Sequence, residues 1–230
     1  MRYSILLTGL FILLAPLSQA QYRKSTEVKA GANVAQTFSP TGFYRFARFS
    51  KGSLYSKLRS GSSAQLFNYN LLYNKIQFIN NGDTMEIANP TLFDSLKIDS
   101  QVFYYRHDYG YLELIAANHP IRLVRKTTIK LKSQSVGAYD GSTTTSSISK
   151  MNSYMVGINV YSFVSNEDVV IKENIDWYWM NEAGEIKPAT RNNLLIFLSP
   201  DKQQRTEIFI KENKINFNKE ESLIRLIKAL

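Results

Sequence analysis

Apolar and polar residues alternate along most of residues 64–132, and this pattern predicts a series of short β-strands. A period of two places one side of each strand on a core and the other side in water. Turn-forming residues such as Asn81-Gly82-Asp83 and His119-Pro120 separate the segments. The predicted strands are 64–70, 74–80, 83–89, 94–98, 101–105, 110–117 and 121–132. We therefore expect an antiparallel β-meander.

The chain that precedes this meander has a weaker pattern. Residues 21–39 have no hydrophobic period, which predicts a mobile leader. Residues 43–50 and 53–60 are apolar enough for two strands, and Lys51-Gly52 between them predicts a first hairpin.

The composition changes after the meander. Residues 133–153 are rich in Ser, Thr and Gly and nearly free of large aliphatic side chains, which predicts a flexible polar loop. Such a loop serves either as a functional loop or as a spacer, and the composition favours a spacer. The apolar pattern then returns, and residues 169–174 and 175–189 predict a hairpin that turns at 181–184.

The C-terminal part of the chain has helical signals. Residues 191–197 predict a short helix, and Ser199-Pro200 predicts the start of a second helix because Ser is a good N-cap and Pro fits the first helical position. This second helix is expected over residues 201–212, with Ile208 and Phe209 facing the core.

A third helix is predicted from Asn218, since Glu221 follows at the capping-box spacing. Its apolar stripe consists of Leu223, Leu226, Ile227 and Leu230. The predicted fold class is therefore α+β: an antiparallel β-meander, curled into a sandwich or partial barrel, followed by a small C-terminal helical segment from about residue 191. We expect one β-rich domain over residues 40–230, with the helices covering an open edge or face of the sheet.

The first twenty residues have the pattern of a secretory signal peptide. Arg2 supplies a positive charge, residues 5–17 are apolar, and Ser18-Gln19-Ala20 is a small-x-small cleavage site. The apolar run is too short for a membrane span of roughly 18–20 residues. We expect an exported protein that is periplasmic, associated with the outer membrane or extracellular, with no transmembrane segment after cleavage.

Cysteine count and charge limit the possible partners. The sequence contains no cysteine, so its core must hold the fold without disulfides. The formal net charge of +9 is spread along the chain rather than gathered in one block. Such a balance invites a nucleic-acid interpretation, but export argues against nucleic acid. We expect instead a glycan, an anionic envelope surface or another envelope protein as partner.

Three stretches carry a resemblance to a known group of proteins. They are FNYNLLYNKIQFINNGDTMEIANP (67–90), AYDGSTTTSS (138–147) and NLLIFLSPDKQQRTEIFIKENKINFNKEESLIRLI (193–227). Together they resemble exported proteins of Bacteroidetes that have no established function. The resemblance implies export and a single domain, and it implies no catalytic residue.

Motifs for catalysis or metal binding are incomplete in this sequence. His107 and His119 are the only histidines, both lie at predicted turns, and no HExxH spacing accompanies them. Ser147 and Lys150 match the Ser-x-x-Lys spacing, but the other motifs of penicillin-recognising enzymes are absent from the sequence. The acidic pair at 220–221 fits the first turn of a helix. We predict no catalytic residue, no metal site and no cofactor.

Trp177-Tyr178-Trp179 is the most distinctive aromatic cluster. On a strand, Trp177 and Trp179 share one face and Tyr178 takes the other. If the tryptophan face is exposed, these three residues form a ligand-binding platform for sugar rings or an apolar partner. If it is buried, it belongs to the core against the C-terminal helices, which is the more common outcome for Trp.

Two functions remain open on these grounds. The first is an exported, non-catalytic binding module, which the absence of a complete catalytic motif favours. The second is a hydrolase that acts on envelope polysaccharide or peptidoglycan, and it requires two carboxylates in a deep pocket, with raised pKa values.

Overall fold

Strands dominate the structure, a computed structural model that describes residues 22–56, 64–134, 164 and 166–230. The strands are β1 (Tyr22–Val28), β2 (Ser50–Tyr55), β3 (Ala64–Asn70), β4 (Lys75–Asn80), β5 (Asp83–Glu86), β6 (Ser95–Ile98), β7 (Gln101–Arg106), β8 (Gly110–Asn118), β9 (Ile121–Gln134), β10 (Asp168–Met180) and β11 (Ile186–Pro188). The helices are α1 (Val34–Phe38), α2 (Arg191–Ile196), α3 (Pro200–Glu212) and α4 (Glu220–Lys228), and a 3₁₀ turn covers Pro90–Leu92.

All of these strands belong to one open antiparallel sheet. Their spatial order is β1-β10-β9-β8-β7-β6-β2-β3-β4-β5, and β11 pairs with the other part of β10. The chain first makes a meander from β2 to β5, then returns beside β2 and makes a second meander from β6 to β9. The predicted meander and the α+β class are confirmed.

The main hydrophobic core lies inside the curl of this sheet. It combines Phe67 and Ile76, from β3 and β4, with Ile129 and Ile171, from β9 and β10. These strand pairs are far apart in the sheet order, so a shared core requires the sheet to bend round. We call this the sheet core.

A second core joins the helices to the other end of β9 and β10. It contains Leu123 and Trp179 from the strands, together with Leu194, Leu223 and Ile227 from the helices. We call this the helical core. The prediction that the C-terminal helices cover a face of the sheet is therefore confirmed. It is the same face that lines the sheet core, because alternate residues of a strand point to one side.

The N-terminal leader prediction is wrong for the residues that the structure describes. β1 pairs with β10 through backbone hydrogen bonds, which need no hydrophobic run in the sequence. α1 follows, with the Asn33 side chain accepting a hydrogen bond from the Gln36 amide and with Val34 and Phe38 buried.

The predicted first hairpin is also wrong, since Lys51 and Gly52 lie inside β2. A Cβ atom at Gly52 would approach the Lys97 carbonyl oxygen to 2.5 Å and the Phe67 ring to 2.7 Å. Glycine here permits close approach of a neighbouring strand and does not mark a turn.

The hairpin between β10 and β11 and the three C-terminal helices occur as predicted, with two corrections. Ile208 is 49% exposed and α3 buries Ile210 instead, because Thr206 and Ile210 share the face toward the core. α4 begins at Glu220, since the Asn218 amide donates to Asn216 Oδ1 in a tight turn and leaves Asn218 outside the helix.

Two predictions fall on residues outside the described part of the chain. The signal peptide at 1–20 is one, and residues 135–153 of the predicted polar loop are the other. The first two residues of that loop, 133 and 134, belong to β9.

Candidate functional site

A buried carboxylate lies between two arginines where the sheet core and the helical core meet. Glu113 of β8 and Arg125 of β9 are direct cross-strand partners, and Arg125 Nη2 donates to Glu113 Oε2 at 2.7 Å. Arg45 donates to the same carboxylate from Nε at 3.2 Å and from Nη2 at 3.0 Å. Only 3% of Glu113 is exposed, so these contacts replace its hydration.

Arg125 also connects the sheet to the helices. Its Nη1 donates to Glu220 Oε2 at 3.3 Å, at the start of α4, and its guanidinium lies 5.8 Å from the centroid of the Trp177 ring. We call Arg45, Glu113, Arg125 and Glu220 the charged cluster. Burial alone would raise the pKa of Glu113, but the hydrogen bonds and positive charges of both arginines outweigh burial and lower it.

A cavity of about 240 Å³ lies beside the charged cluster. One wall is the segment between α1 and β2. It is fixed to β3 by a hydrogen bond from the Arg45 amide to Tyr69 O, and to the residue after β3 by a hydrogen bond from the Leu71 amide to Phe43 O. The other wall is the β9–β10 face. We call this the arginine cavity, and its polar lining includes Ser39, Thr41, Arg45, Arg125, Thr127 and Glu173.

A larger groove, of about 400 Å³, opens near the β7–β8 turn. Tyrosines form much of its wall, and polar side chains stand between them. We call it the tyrosine groove, and its aromatic and polar lining consists of Tyr73, Asn74, Lys75, Tyr105, His107, Asp108, Tyr109, Tyr111 and Lys126.

Ring contacts hold the tyrosines of the groove in place. Tyr105 and Tyr111 meet edge to face with 5.1 Å between their centroids. Tyr109 packs on Tyr178 in the same way at 5.2 Å. Burial raises the pKa of Tyr73 and of Tyr111, so both hydroxyls stay uncharged well above neutral pH.

Gly110 shapes one corner of the groove. It has a φ of +74°, and a Cβ atom there would meet the Asn74 side-chain nitrogen. Asn74 in turn accepts a hydrogen bond of 2.6 Å from the Tyr69 hydroxyl through Oδ1. Both the backbone and the side-chain packing therefore require glycine at this position.

We expect Gly110→Ala to lower the free energy of unfolding by about 1–3 kcal/mol, because it imposes a left-handed backbone on alanine and displaces Asn74. Urea denaturation at pH 7 measures this change. Gly31→Ala is the matched control: Gly31 also has a positive φ, of 83°, but a Cβ atom there has open space. A cost for Gly110→Ala no larger than that of the control would contradict the role of the Asn74 contact.

Of the two alternatives for the tryptophan face, the buried one applies to Trp179, which corrects its assignment as a ligand-binding residue. Trp179 is fully buried in the helical core, and its indole Nε1 donates to Thr190 O at 2.9 Å. Trp177 shares that face, is half-buried and lies against Arg125. Tyr178 takes the opposite face, as its position on a strand predicts, and touches the tyrosine groove through Tyr109.

The two histidines contact different parts of the protein. His119 Nε2 lies 2.7 Å from Glu182 Oε1 at an exposed turn, whereas His107 lines the tyrosine groove. Within the described residues, no three His, Asp or Glu side chains form a group that could hold a metal ion. Ser147 and Lys150 lie outside the described residues.

The tyrosine groove and the charged cluster were both missed by sequence reasoning. Tyr105, Tyr109 and Tyr111 surround one predicted turn. Three tyrosines so close to the end of a hairpin are a signal from which the groove could be predicted. Arg45 gave no such signal as a partner of Glu113, because the two residues are 68 positions apart. The acidic pair at 220–221 lies in the first turn of α4, as predicted, and the structure adds the ion pair of Glu220 with Arg125.

No protein-family model, curated protein or solved structure matches this chain. In the part of the chain that the structure describes, every helix is too short or too polar to cross a membrane.

Proposed function

We propose that this protein is an exported, non-catalytic binding module and that the tyrosine groove binds a glycan of the cell envelope or its surroundings. The observation that carries the proposal is a groove of about 400 Å³ in which four tyrosines alternate with charged and amide side chains. Pockets of this size, with aromatic walls and a few placed polar groups, are typical of small-ligand sites.

The chemistry of the groove suits a sugar ring. A tyrosine ring offers an apolar face for the C–H side of a pyranose and a hydroxyl at its edge. Asn74, His107, Asp108 and Lys126 supply the polar atoms that sugar hydroxyls require as hydrogen-bond partners. The contact of Tyr109 with Tyr178 and that of Tyr105 with Tyr111 hold the rings in position before a ligand arrives.

The carboxylates favour binding over hydrolysis. A glycosidase uses two carboxyl groups on either side of the scissile bond, one of them with a raised pKa. Among the described residues that line the tyrosine groove, Asp108 is the one carboxylate. Glu113 beside the arginine cavity has a lowered pKa and is held by two arginines, so it is unsuited to act as a general acid.

The location of the protein follows from the signal peptide predicted at 1–20 and from the resemblance to exported proteins of Bacteroidetes. We infer that the mature chain works in the periplasm, at the outer membrane or outside the cell. A glycan partner is then within reach of the groove, and nucleic acid is not.

We expect Tyr73→Ala to weaken binding of a groove ligand about three- to tenfold, because one aromatic contact is worth about 0.5–1.5 kcal/mol. A polysaccharide array identifies the ligand, and isothermal titration of the purified protein then gives the Kd. Tyr55→Ala is the matched control, since Tyr55 is an exposed tyrosine on β2 that does not line the groove.

Two outcomes would overturn the proposal. One is an array on which no glycan binds. The other is a glycan whose Kd responds equally to Tyr73→Ala and Tyr55→Ala, which would place its site elsewhere on the surface.

A further inference from the structure

Four lysines lie together on the outer face of the β9–β10 strand pair. Side chains alternate along a strand, and Ile129 of β9 points into the sheet core, so the residues on either side of it point outward. The outward residues of β9 include Lys126, Lys130 and Lys132, and the direct partner of Lys130 on β10 is Lys172. We call these four residues the lysine row.

The charge of the lysine row is not balanced by its neighbours. Among the residues that the structure describes, none of the four lysines forms an ion pair. Lys130 and Lys172, both exposed, stand directly opposite each other, and like charges in this position repel. The acidic residues of this face lie toward its two ends, namely Asp176 at one end and Glu27 and Asp168 at the other. An anionic group bound across the middle of the row would relieve the repulsion.

The lysine row begins at the tyrosine groove, because Lys126 belongs to both. The register of β8 and β9 pairs Glu113 with Arg125, and continued by three positions it places the start of β8 beside Thr128. The β7–β8 turn at the groove therefore lies next to the part of β9 between Lys126 and Lys130. A ligand that leaves the groove on this side meets the row.

The length of the row suits a polymer. A strand rises about 3.4 Å per residue, so Lys126 and Lys132 are about 20 Å apart along β9. Between them, Thr128 and its partner Asn174 supply polar side chains that can bond to sugar hydroxyls. A lysine ammonium is a point charge on a flexible stem, so it can follow anionic groups that are spaced along a chain.

We propose that the glycan of the tyrosine groove is an anionic polysaccharide that continues from the groove along the lysine row. This inference rests on the proposed function, because the groove holds one end of the polymer. Sugar rings of that end pack on the tyrosines. Carboxylate or sulfate groups of the following sugars lie against Lys130, Lys132 and Lys172.

Isothermal titration with polygalacturonate and with its carboxyl-reduced form, which has the same linkages without the charges, tests the proposal. Chondroitin sulfate serves as a second acidic probe. We expect at least one acidic polymer to bind about tenfold more tightly than the reduced polymer. Raising NaCl from about 0.1 M to about 1 M shortens the range of charge interactions from about 10 Å to about 3 Å, so it should remove most of this difference.

A double variant, Lys130→Gln with Lys172→Gln, locates the acidic contacts. It should weaken binding of the acidic polymer about three- to thirtyfold and leave the affinity for the reduced polymer unchanged. Lys211→Gln with Lys228→Gln removes the same charge from exposed positions near the ends of α3 and α4, and this matched control should change neither affinity. All four lysines are exposed, so both double variants should fold, which far-UV circular dichroism checks.

The outcomes separate this inference from the proposed function. Equal affinity for the acidic and reduced polymers, or equal effects of the two double variants, would overturn the inference and leave the groove to be decided by Tyr73→Ala. A polymer that responds to the lysine variant but not to Tyr73→Ala would lie on the row alone, which overturns the path through the groove. Absence of heat with all three polymers would also overturn the inference. So would tighter binding of single-stranded oligo(dT), since it would show that the row selects nucleic acid.

Discussion

Glu113→Gln is expected to lower the free energy of unfolding by about 3–5 kcal/mol, the range for removing one partner of a buried ion pair. The glutamine side chain has nearly the same shape but no charge. The glutamine amide keeps one acceptor oxygen and turns an NH₂ donor toward the remaining arginine N–H groups. Arg45 and Arg125, whose side chain is 13% exposed, therefore lose the negative charge between them and part of their hydrogen bonds.

Urea denaturation at pH 7, followed by tryptophan fluorescence and far-UV circular dichroism, measures this change. Glu220→Gln is the control because Glu220 contacts the same arginine but has a side chain that is 36% exposed. We expect it to cost less than about 1 kcal/mol, as partly exposed pairs do. Equal costs for the two variants would contradict the claim that the burial of Glu113 determines the effect.

The pH dependence gives a second readout of the same carboxylate. Because the folded state lowers the pKa of Glu113, the ion pair stabilises the protein above the ordinary glutamate value of 4.5 and that stability is lost as pH falls through the lowered pKa. The difference in unfolding free energy between the wild type and Glu113→Gln should therefore shrink between pH 6 and pH 3. A difference that stays constant over this range would show that Glu113 does not titrate with folding.

Local pattern was sufficient to predict the strands of the meander, since alternation and turn residues are properties of neighbouring positions. Residues 64–70 were predicted as a strand and form β3 over the same bounds. The errors arose where the cause is not local. Gly52 is required by the close approach of β6 and β3. β1 forms because it pairs with a strand more than a hundred positions later in the chain.

The candidate sites were beyond local pattern for the same reason. The tyrosine groove combines the β7–β8 turn with Tyr73 and Asn74 from the β3–β4 connection, and only the curl of the sheet brings these segments together. Arg125 and Glu220 are 95 positions apart, so neither residue identifies the other in the sequence. Composition indicates that such pairs are available, and topology decides which of them form.

The order of residues along β9 also explains where the charged cluster lies. On the inward face of β9, Ile121 and Leu123 meet the helices, Ile129 and Leu131 meet the sheet core, and Arg125 lies between them. The charged cluster therefore stands where two apolar surfaces separate.

Trp179→Ala is expected to have an effect as large as that of Glu113→Gln, about 3–5 kcal/mol of unfolding free energy. Trp179 is fully buried, and its truncation leaves a cavity between β10 and two helices, namely α2 with Leu194 and α4 with Leu223. It also leaves Thr190 O without the indole hydrogen bond of 2.9 Å. Because Thr190 caps α2, the loss falls on the junction between the sheet and the helices.

Trp177→Ala provides the comparison for this prediction, since Trp177 lies on the same face but is half-buried. Urea denaturation followed by circular dichroism should give it a smaller cost than Trp179→Ala. The sequence contains two tryptophans, so the fluorescence of each variant reports the other one alone. Acrylamide should quench Trp177 in Trp179→Ala more readily than Trp179 in Trp177→Ala, and a groove glycan should leave Trp179 unaffected. Strong quenching of Trp179, or its protection by the glycan, would contradict burial and return the tryptophan face to the list of binding surfaces.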